Sequence, residues 1–438
     1  MSAGLFRMPL HLPAQGAAEI EATIIEWSVG EGDRFAKGQM LAQVDSAKSV
    51  FDFEAPCDGM VIRLFHLEGE TVLLSDPVME IETSDPEMKN WIPPAAASEA
   101  LPLEPLASIA RPAPQPNTGV VISGIGTYLP KRIVSNAELV ECYPDITEQY
   151  VYQVTGIRQR HWAAHDEKPS SMAFKASLEA IRASAIGTKD IDAIILATTT
   201  PDVAMPSTAC ILQDRLSLGP IPAFDINAAC SGWLYAVAMA RGMICSGLAK
   251  HVLTVGVDMQ SRLLDRDDRS AYFIFGDGAG AAIISAGTEG HRIREVIVRA
   301  DPRGLHHARR ENPGYFITNG QPDIDPWIRL DGPALFRLAT DNFTTIIRDA
   351  VARSGWTAEQ TRWVIPHQAN GRILKAAAKR SGLSFDRFFL NVDHVGNTSS
   401  ASIPLALVEA EKQIEADDKV ILCSVGAGLT AAAVSVEW

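Results

Sequence analysis

A proline- and alanine-rich stretch, IPPAAASEALPLEPLASIARPAPQP, divides this 438-residue chain into two parts of different character. Proline lacks the backbone N–H that a β-ladder needs, and such a stretch builds no packed core. We therefore predict a semi-extended linker over residues 84–117, with a small domain at 1–83 and a larger region at 118–438.

The composition excludes several classes of function. A net charge of −14 and a pI near 5.2 argue against nucleic acid or an anionic membrane as the main partner. No apolar run approaches the roughly 20 residues of a membrane span, and the N-terminus shows no signal-peptide pattern. The six cysteines are scattered without a CxxC pair, which indicates free thiols in a reducing compartment. We expect a cytoplasmic protein with no bound metal.

An internal repeat organises the first domain. The segments EGDRFAKGQMLAQVD and EGETVLLSDPVMEIE align at a constant offset of 37 residues, which pairs Gly32 with Gly69 and Val44 with Ile81. Two copies of one strand–turn–strand unit predict a small quasi-symmetric β-sandwich. The intervening sequence VDSAKSVFDF places Lys48 at the tip of a hairpin.

Residues 6–83 resemble the lipoyl domain of 2-oxo acid dehydrogenase complexes, on the repeat, the opening MPLHLP and the trailing APCDGMV. The resemblance implies an all-β flattened barrel or sandwich with lipoic acid in amide linkage to Lys48. It also makes a 2-oxo acid dehydrogenase complex a candidate partner. Biotin carriers of this fold usually flank their lysine with methionine, and neither neighbour of Lys48 is methionine, so lipoic acid is favoured over biotin.

From Gly119 onward, buried-strand patterns such as HVLTVGVDM alternate with amphipathic helix patterns such as GRILKAAAKRSG, which predicts an α/β fold. Cys230 lies between the apolar IPAFDI and an amphipathic run. A helix N-terminus there would favour a thiolate and an oxyanion, although a single cysteine is more often a small buried residue. His367 in VIPHQAN and Asn397 in DHVGNTSSAS follow similar strand-to-loop transitions. Thiol, imidazole and carboxamide together suit acyl transfer with carbanion stabilisation.

The segments FDINAACSG, FGDGAGAAII, PHQAN and HVGNTSSAS resemble, in order and spacing, the signatures of β-ketoacyl-[acyl carrier protein] synthase III of the thiolase superfamily. The resemblance runs from Val120 to the C-terminus. It implies a five-layered αβαβα fold built from two similar halves, at 118–286 and 287–438, in a homodimer. The segments FGDGAGAAII and VGAGLTAAAVSV are expected to correspond in the two halves.

The resemblance also implies catalytic roles. Cys230 takes an acyl group from a thioester, and a malonyl thioester on acyl carrier protein then loses CO₂. His367 and Asn397 stabilise the resulting enolate, which attacks the acyl group on Cys230. The oxyanion hole is assigned to the amide of Cys230 and to the glycine turn of Gly426, Ala427 and Gly428.

Positions that bind the acyl donor depart in part from the family pattern. Tyr150 stands where the family has a tryptophan that clamps the adenine of CoA, and Val154 stands where it has an arginine, whereas Arg269 matches a second arginine. Two donors are therefore considered for Cys230. One is acyl-CoA, and the other is an acyl-dihydrolipoyl group on Lys48, whose tethering would raise its effective concentration.

Further positions concern the acyl chain and the carrier protein. Met205 matches a phenylalanine that narrows the acyl pocket, often across the dimer. A basic stripe formed by Arg372, Lys379 and Arg380 is expected to receive the acidic acyl carrier protein. Two alternatives stay open: a thiolase-fold acyltransferase or non-decarboxylating condensing enzyme of specialised metabolism, and a lipoyl carrier with an inactive scaffold domain.

Overall fold

The structure is a computed structural model, and it describes residues 5–13, 21–46, 50–74, 76–91, 119–311 and 325–438. The chain divides into two compact units, one before residue 114 and one from that residue onward. Within the described ranges, no helix is both long enough and apolar enough to cross a membrane.

The first unit consists of two four-stranded antiparallel sheets. Their orders are β1–β8–β6–β3 and β5–β4–β2–β7, for strands β1 (Phe6–Leu10), β2 (Glu21–Trp27), β3 (Arg34–Phe35), β4 (Met40–Ser46), β5 (Val50–Glu54), β6 (Gly59–Leu64), β7 (Thr71–Leu73) and β8 (Met79–Thr83). Buried apolar side chains from both sheets form one core. The predicted lipoyl-type sandwich is confirmed.

The two copies of the repeat are related by matching hydrogen bonds. The amide of Gly32 donates to the carbonyl oxygen of Val61 over 2.8 Å, and that of Gly69 donates to the carbonyl oxygen of Ile24 over 2.7 Å. Gly32 and Gly69 lie 37 positions apart in the sequence, and so do Ile24 and Val61. Both glycines have positive φ, +92° and +82°, which side chains disfavour. The sequence repeat therefore corresponds to a two-fold pseudosymmetry of the first unit.

The first unit extends beyond residue 83. A 3₁₀ turn at Pro86–Asn90 follows β8 and begins at Asp85, whose side chain accepts a hydrogen bond from the amide of Glu87. Met88 is buried in the core of the sandwich, and Trp91 packs against that core. The linker predicted over 84–117 therefore starts later than expected, and its residues 92–117 lie outside the described ranges.

The second unit is built on a sheet with the order β13–β12–β14–β15–β9–β16–β21–β20–β19. Its strands and two flanking strand pairs are β9 (Val120–Tyr128), β10 (Arg132–Ser135), β11 (Gln159–Trp162), β12 (Ala193–Ala197), β13 (Ala223–Ile226), β14 (His251–Met259), β15 (Asp277–Ala286), β16 (His291–Ala300), β17 (Ala308–Arg309), β18 (Arg329–Leu330), β19 (Thr361–Pro366), β20 (Lys419–Gly426) and β21 (Thr430–Glu437). The helices are α1 (Asn136–Val140), α2 (Glu148–Thr155), α3 (Pro169–Ala183), α4 (Thr208–Arg215), α5 (Gly232–Cys245), α6 (Arg269–Tyr272), α7 (Gly332–Arg353), α8 (Gly371–Ser381), α9 (Val392–Val395) and α10 (Ser402–Ala410).

The sheet contains the same topology twice. In the first half, the strands of this sheet are β9, β12, β13, β14 and β15 in chain order. They lie side by side in the order β13–β12–β14–β15–β9, that is, third, second, fourth, fifth and first. The second half repeats this order, with its third strand reduced to a parallel bridge between Val364 and Phe388. Strands β9 and β16 join the halves through only two residue pairs. As expected from the sequence, β15 and β21 occupy equivalent positions.

Five layers follow from the packing. Helices α3 and α4 share a core with the first half of the sheet, and α7 and α8 share one with the second. Helices α5 and α10 lie in the middle, because their buried side chains contact strands of both halves in a single core. Each helix carries a single charged residue, which suits a helix packed between two sheets. The predicted αβαβα architecture is confirmed.

Candidate active site

Two equivalent turns lead into the central helices. Cys230 is the middle residue of a 3₁₀ turn, Ala229–Ser231, before α5, and Ser400 is the middle residue of the turn Ser399–Ala401 before α10. In each turn the first residue has positive φ, +45° at Ala229 and +51° at Ser399. A non-glycine residue pays about 1–2 kcal/mol for this conformation, so its retention in both halves points to a functional site.

Strand β20 brings the predicted nucleophile and the predicted histidine together. The amide of His367 donates to the carbonyl oxygen of Cys423 over 2.7 Å. The next residue, Ser424, donates its hydroxyl to the carbonyl oxygen of Cys230 over 3.0 Å. Adjacent residues of one strand thus hold the segments that contain His367 and Cys230.

Asn397 joins the same cluster through the second turn. Its Oδ1 accepts from the amide of Ser399 over 2.9 Å, and its Nδ2 donates to the carbonyl oxygen of Ala369 over 3.3 Å. The hydroxyl of Ser399 in turn lies 3.6 Å from the sulfur of Cys230. The three residues predicted from separate motifs are therefore linked in space.

Burial governs the protonation of the cysteine and the histidine. It raises the pKa of Cys230 to about 12, which the hydrogen bond from Ser399 only partly opposes. It lowers the pKa of His367 to about 3. At neutral pH the structure thus holds a thiol and a neutral imidazole. Desolvation therefore opposes the thiolate that the helix N-terminus is expected to favour.

The neutral imidazole has a defined partner. The Nδ1 of His367 lies 2.5 Å from the hydroxyl of Ser402, the first residue of α10. When this hydroxyl donates to Nδ1, the ring proton is on Nε2. That tautomer can donate a hydrogen bond to a substrate oxygen.

The glycine turn between β20 and β21 lies against the amide of Cys230. A Cβ placed on Gly426 would be 2.8 Å from the Cys230 nitrogen and 3.0 Å from the Ser231 nitrogen. Among the described residues, no other residue accepts a hydrogen bond from the Cys230 amide. Ala427 and Gly428 complete the turn, half-buried, and Gly428 has a φ of +129°. The turn therefore leaves room for a substrate oxygen beside this amide.

A buried carboxylate holds the second turn in place, and sequence reasoning missed it. Asp258, at the end of β14, accepts from the amide and hydroxyl of Ser400 over 3.1 and 2.7 Å, and from the amide of Thr199 over 2.7 Å. Sequence reasoning also missed Ser399, Ser402 and Ser424. The hydroxyl-rich run NTSSAS around Asn397 was the one available signal for two of them.

The predicted donor-binding residues lie at the surface. Tyr150 is exposed on α2, and Arg269 begins α6. Arg269 forms two hydrogen bonds with Asp145, of 2.7 and 3.1 Å, so this half of the predicted nucleotide clamp is already paired. Met205 is also exposed, at 84%.

Helix α8 carries two of the three predicted carrier-binding residues, Arg372 and Lys379, on one exposed face. Arg372, Lys375 and Lys379 are exposed at spacings of three and four residues, and we call them the α8 stripe. Lys375 was not anticipated from the sequence. Arg380 lies outside the stripe because it forms an ion pair with Asp341 at 2.5 Å.

Acyl transfer through a cysteine needs a thiol beside donors for developing negative charge, and the second unit brings a cysteine and such donors together. On an αβαβα scaffold this combination places the unit among the thiolase-like acyl-transferring enzymes.

Comparison with known proteins narrows the class. Residues 224–302 match the model for 3-oxoacyl-[acyl-carrier-protein (ACP)] synthase III, and residues 351–438 match the model for its C-terminal part. The β-ketoacyl-[acyl-carrier-protein] synthase III of Neisseria gonorrhoeae strain NCCP11945 is 39% identical over 329 residues, which cover 72% of this chain and 98% of that protein. The chain belongs to the β-ketoacyl-[acyl carrier protein] synthase III family, and it is a condensing acyltransferase of that type.

Solved structures agree with this assignment. The synthase III of Thermus thermophilus is 39% identical, with a TM-score of 0.67 over 73% of this chain and 99% of that one. The priming β-ketosynthase of the R1128 polyketide pathway is 30% identical, with a TM-score of 0.68 over 74% of this chain and 98% of that one.

The first unit has its own match. Residues 9–81 match the model described as "Biotin-requiring enzyme", which covers biotin and lipoyl attachment domains. The unit is therefore an attachment domain for one of these two groups on a lysine. Lys48, the predicted attachment residue, lies outside the described residues. Within the described ranges, no group of three or more His, Cys, Asp and Glu side chains forms a metal site.

Proposed function

We propose that the chain loads an acyl group onto Cys230 and condenses it with malonyl-acyl carrier protein, with loss of CO₂. The observation that carries this proposal is the arrangement on β20. Cys423 and Ser424 bind the segments of His367 and Cys230, so that the two segments face one site.

The first step is a thioester exchange. The sulfur of Cys230 forms a bond to the acyl carbon of the donor, and the bond from that carbon to the donor sulfur breaks. The proton of the Cys230 thiol leaves with the departing thiol, which suits a nucleophile whose pKa is about 12 before the donor arrives. The amide of Cys230, below Gly426, stabilises the oxyanion of the tetrahedral intermediate.

The second step forms the carbon–carbon bond. Malonyl thioester loses CO₂, and the electron pair of the broken bond becomes an enolate. The Nε2–H of His367 and the free hydrogen of the Asn397 amide donate to the enolate oxygen, where charge appears only in the transition state. The carbanion then attacks the acyl carbon, the bond from that carbon to the Cys230 sulfur breaks, and the departing thiolate takes up one proton from solvent.

We propose that acyl carrier protein binds at the α8 stripe. Its three cations are exposed on a protein of net charge −14, and an acidic partner would therefore be steered to this helix. Asn370 lies in the loop that follows His367 and caps the start of α8, because its side chain accepts a hydrogen bond from the Arg372 amide.

We assign the group of the first unit as lipoic acid on Lys48. Lys48 lies between β4 and β5, which pair with each other up to Asp45 and Val50. Ala47 and Ser49 flank it, where biotin carriers have methionine. When bound, the group supplies a thiol that can carry an acyl chain, which makes acyl-dihydrolipoyl a donor beside acyl-CoA and a 2-oxo acid dehydrogenase complex a candidate source. Intact-mass analysis of the protein from its native host decides between lipoyl and biotinyl adducts, and Lys48→Arg must remove the adduct.

Release of CO₂ from malonyl-acyl carrier protein tests the condensation. With an acyl donor present, the protein should release CO₂ and form a β-ketoacyl product, whereas Cys230→Ser should form no product. Acylation of Cys230 without CO₂ release would instead support a non-decarboxylating acyltransferase. Absence of any adduct on Cys230, from CoA or lipoyl donors, would support the inactive scaffold.

A further inference from the structure

The buried carboxylate of Asp258 joins the two halves of the second unit at the catalytic turns. It lies near the end of β14 in the first half, and it accepts from the amide and hydroxyl of Ser400 in the turn before α10. Gly256, two positions earlier on β14, shows how closely this turn packs. A Cβ on Gly256 would lie 2.3 Å from the carbonyl oxygen of Ser400. The turn that begins with Ser399 therefore rests directly on β14.

The hydrogen bonds around Asp258 show that it is an anion. The hydroxyl of Thr199 accepts from Nε2 of Gln260 over 2.8 Å, so its own proton is directed to Asp258, also at 2.8 Å. The hydroxyl of Thr200 accepts from the amide of Met259 over 2.9 Å and donates to Asp258 over 3.3 Å. The second turn supplies the donors for the other carboxylate oxygen. A protonated carboxyl would direct its O–H at one of these donors, so the side chain is a carboxylate.

This negative charge acts on the sulfur of Cys230. Ser400 follows Ser399, whose hydroxyl lies 3.6 Å from that sulfur. Burial raises the pKa of Cys230, the hydrogen bond from Ser399 lowers it, and the charge of Asp258 raises it further. A like charge disfavours the ionised form of its neighbour, and a buried position leaves little water to screen the repulsion.

The other titratable groups of the neighbouring segments are neutral or more distant. Burial lowers the pKa of His367 to about 3 and raises the pKa of the Cys423 thiol, so neither group is charged at neutral pH. Arg310 is attracted by the carboxylate of Asp258, which opposes part of the effect of that carboxylate. Asp258 is therefore the anion that bears on the protonation of Cys230 in the part of the chain that the structure describes.

We propose that Asp258 is a positioning residue of this site, which fixes the turn of Ser399 and Asn397 against the first half and whose negative charge keeps Cys230 a thiol until an acyl donor arrives. The resting thiol is thereby protected from electrophiles, since the thiolate is the reactive form. The proposal rests on the proposed function and names how the nucleophile of the same site is controlled.

Replacing Asp258 by asparagine should change two rates in opposite directions. The variant keeps the shape of the side chain and removes its charge, so alkylation of Cys230 by iodoacetamide at pH 7–8 should accelerate roughly tenfold, the effect of one pKa unit. Its NH₂ group would face the amide of Thr199 or of Ser400, which Asp258 now accepts from. The loosened turn should slow CO₂ release from malonyl-acyl carrier protein about tenfold, because the Ser399 amide orients Asn397.

Peptide mapping of the full chain by mass spectrometry measures the adduct on Cys230, and two further variants serve as controls. Ser400→Ala loosens the turn but keeps the charge, so it should slow CO₂ release without accelerating alkylation. Asp192→Asn is the matched carboxylate control, because Asp192 accepts from the amides of Lys250 and His251 over 2.7 and 2.9 Å at the other end of β14. At ~3.3 Å per residue, this end is about 20 Å from the site, and both wild-type rates should persist.

Each rate can overturn the inference. Alkylation that is not faster in Asp258→Asn would exclude the effect of the charge, and unchanged CO₂ release would exclude the positioning role. Faster alkylation in Ser400→Ala as well would assign the effect to opening of the turn. If Asp258→Asn does not fold, Ser400→Ala still decides, since unchanged CO₂ release in that variant contradicts the hold on the turn. Alkylation needs no acyl donor, so a wild type that releases no CO₂ would remove the proposed function and leave the test of the charge in force.

Discussion

Replacing Gly426 by alanine tests whether the Cys230 amide stabilises the oxyanion. The added Cβ would lie 2.8 Å from the Cys230 nitrogen and 2.8 Å from the hydroxyl oxygen of Thr430. Both distances are about 0.7 Å shorter than a comfortable heavy-atom contact of ~3.5 Å. The methyl group would therefore displace the turn or occupy the space of the oxyanion. Loss of one oxyanion donor costs about 10²- to 10³-fold in rate, and the overpacking costs about 1–3 kcal/mol of stability.

The assay is single-turnover acylation of Cys230, followed by intact mass, with thermal unfolding of the same samples. Gly242→Ala is the matched control, because Gly242 is an exposed position within α5 where an added Cβ meets nothing within 4 Å. That variant should acylate normally and gain slightly in stability, since alanine favours a helix. Wild-type acylation by Gly426→Ala, with the protein folded, would refute the assignment of this amide as the oxyanion donor.

Three further outcomes are expected. Ser402→Ala should slow CO₂ release about tenfold through loss of one hydrogen bond to His367, with Cys230 acylation unchanged; an equal fall in both rates would indicate a structural role instead. The rate of alkylation of Cys230 by iodoacetamide should rise about tenfold per pH unit from pH 6 to 9. The raised pKa of about 12 keeps the thiolate a minor species throughout this range. A rate that levels off below pH 9 would contradict the raised pKa. Met88→Ala should lower the free energy of unfolding of the first unit by about 2–5 kcal/mol, measured by calorimetry of the full chain; no change would place residue 88 in a free linker.

The clustering of Cys230, His367 and Asn397 could be predicted because each carries a reactive group in its own motif, although Asn397 follows helix α9 and not a strand as expected. Cys230, His367 and Asn397 are marked by the motifs around them. For the hydroxyl groups that contact them, the sequence offers only the hydroxyl-rich run NTSSAS, which does not say which side chain each hydroxyl contacts. The contact from Ser402 to His367 joins residues 35 positions apart, and that from Ser399 to Cys230 joins residues 169 apart. The first pair forms within the second half, and the second pair forms only through the way the two halves pack.

The protonation of Cys230 shows the same limit. The local sequence predicts a helix N-terminus, which lowers the pKa of a thiol, but desolvation raises the pKa of Cys230 by more.

Met88 was missed for another reason. It follows a proline in a composition that resembles a linker, and only the position of the sandwich core explains its burial.

The paired turns at Ala229 and Ser399 have an evolutionary consequence. A symmetric dimer of one ancestral half would present the same side chain twice across its axis, so a nucleophile could only face another nucleophile. Fusion of the two copies into one polypeptide frees each turn to mutate separately. In this chain one turn carries the sulfur of Cys230, and the equivalent turn, with Ser400 in the matching place, lies beside the Ser399 hydroxyl and the Asn397 carboxamide. The asymmetry that chemistry requires is thus obtained without abandoning the repeated fold.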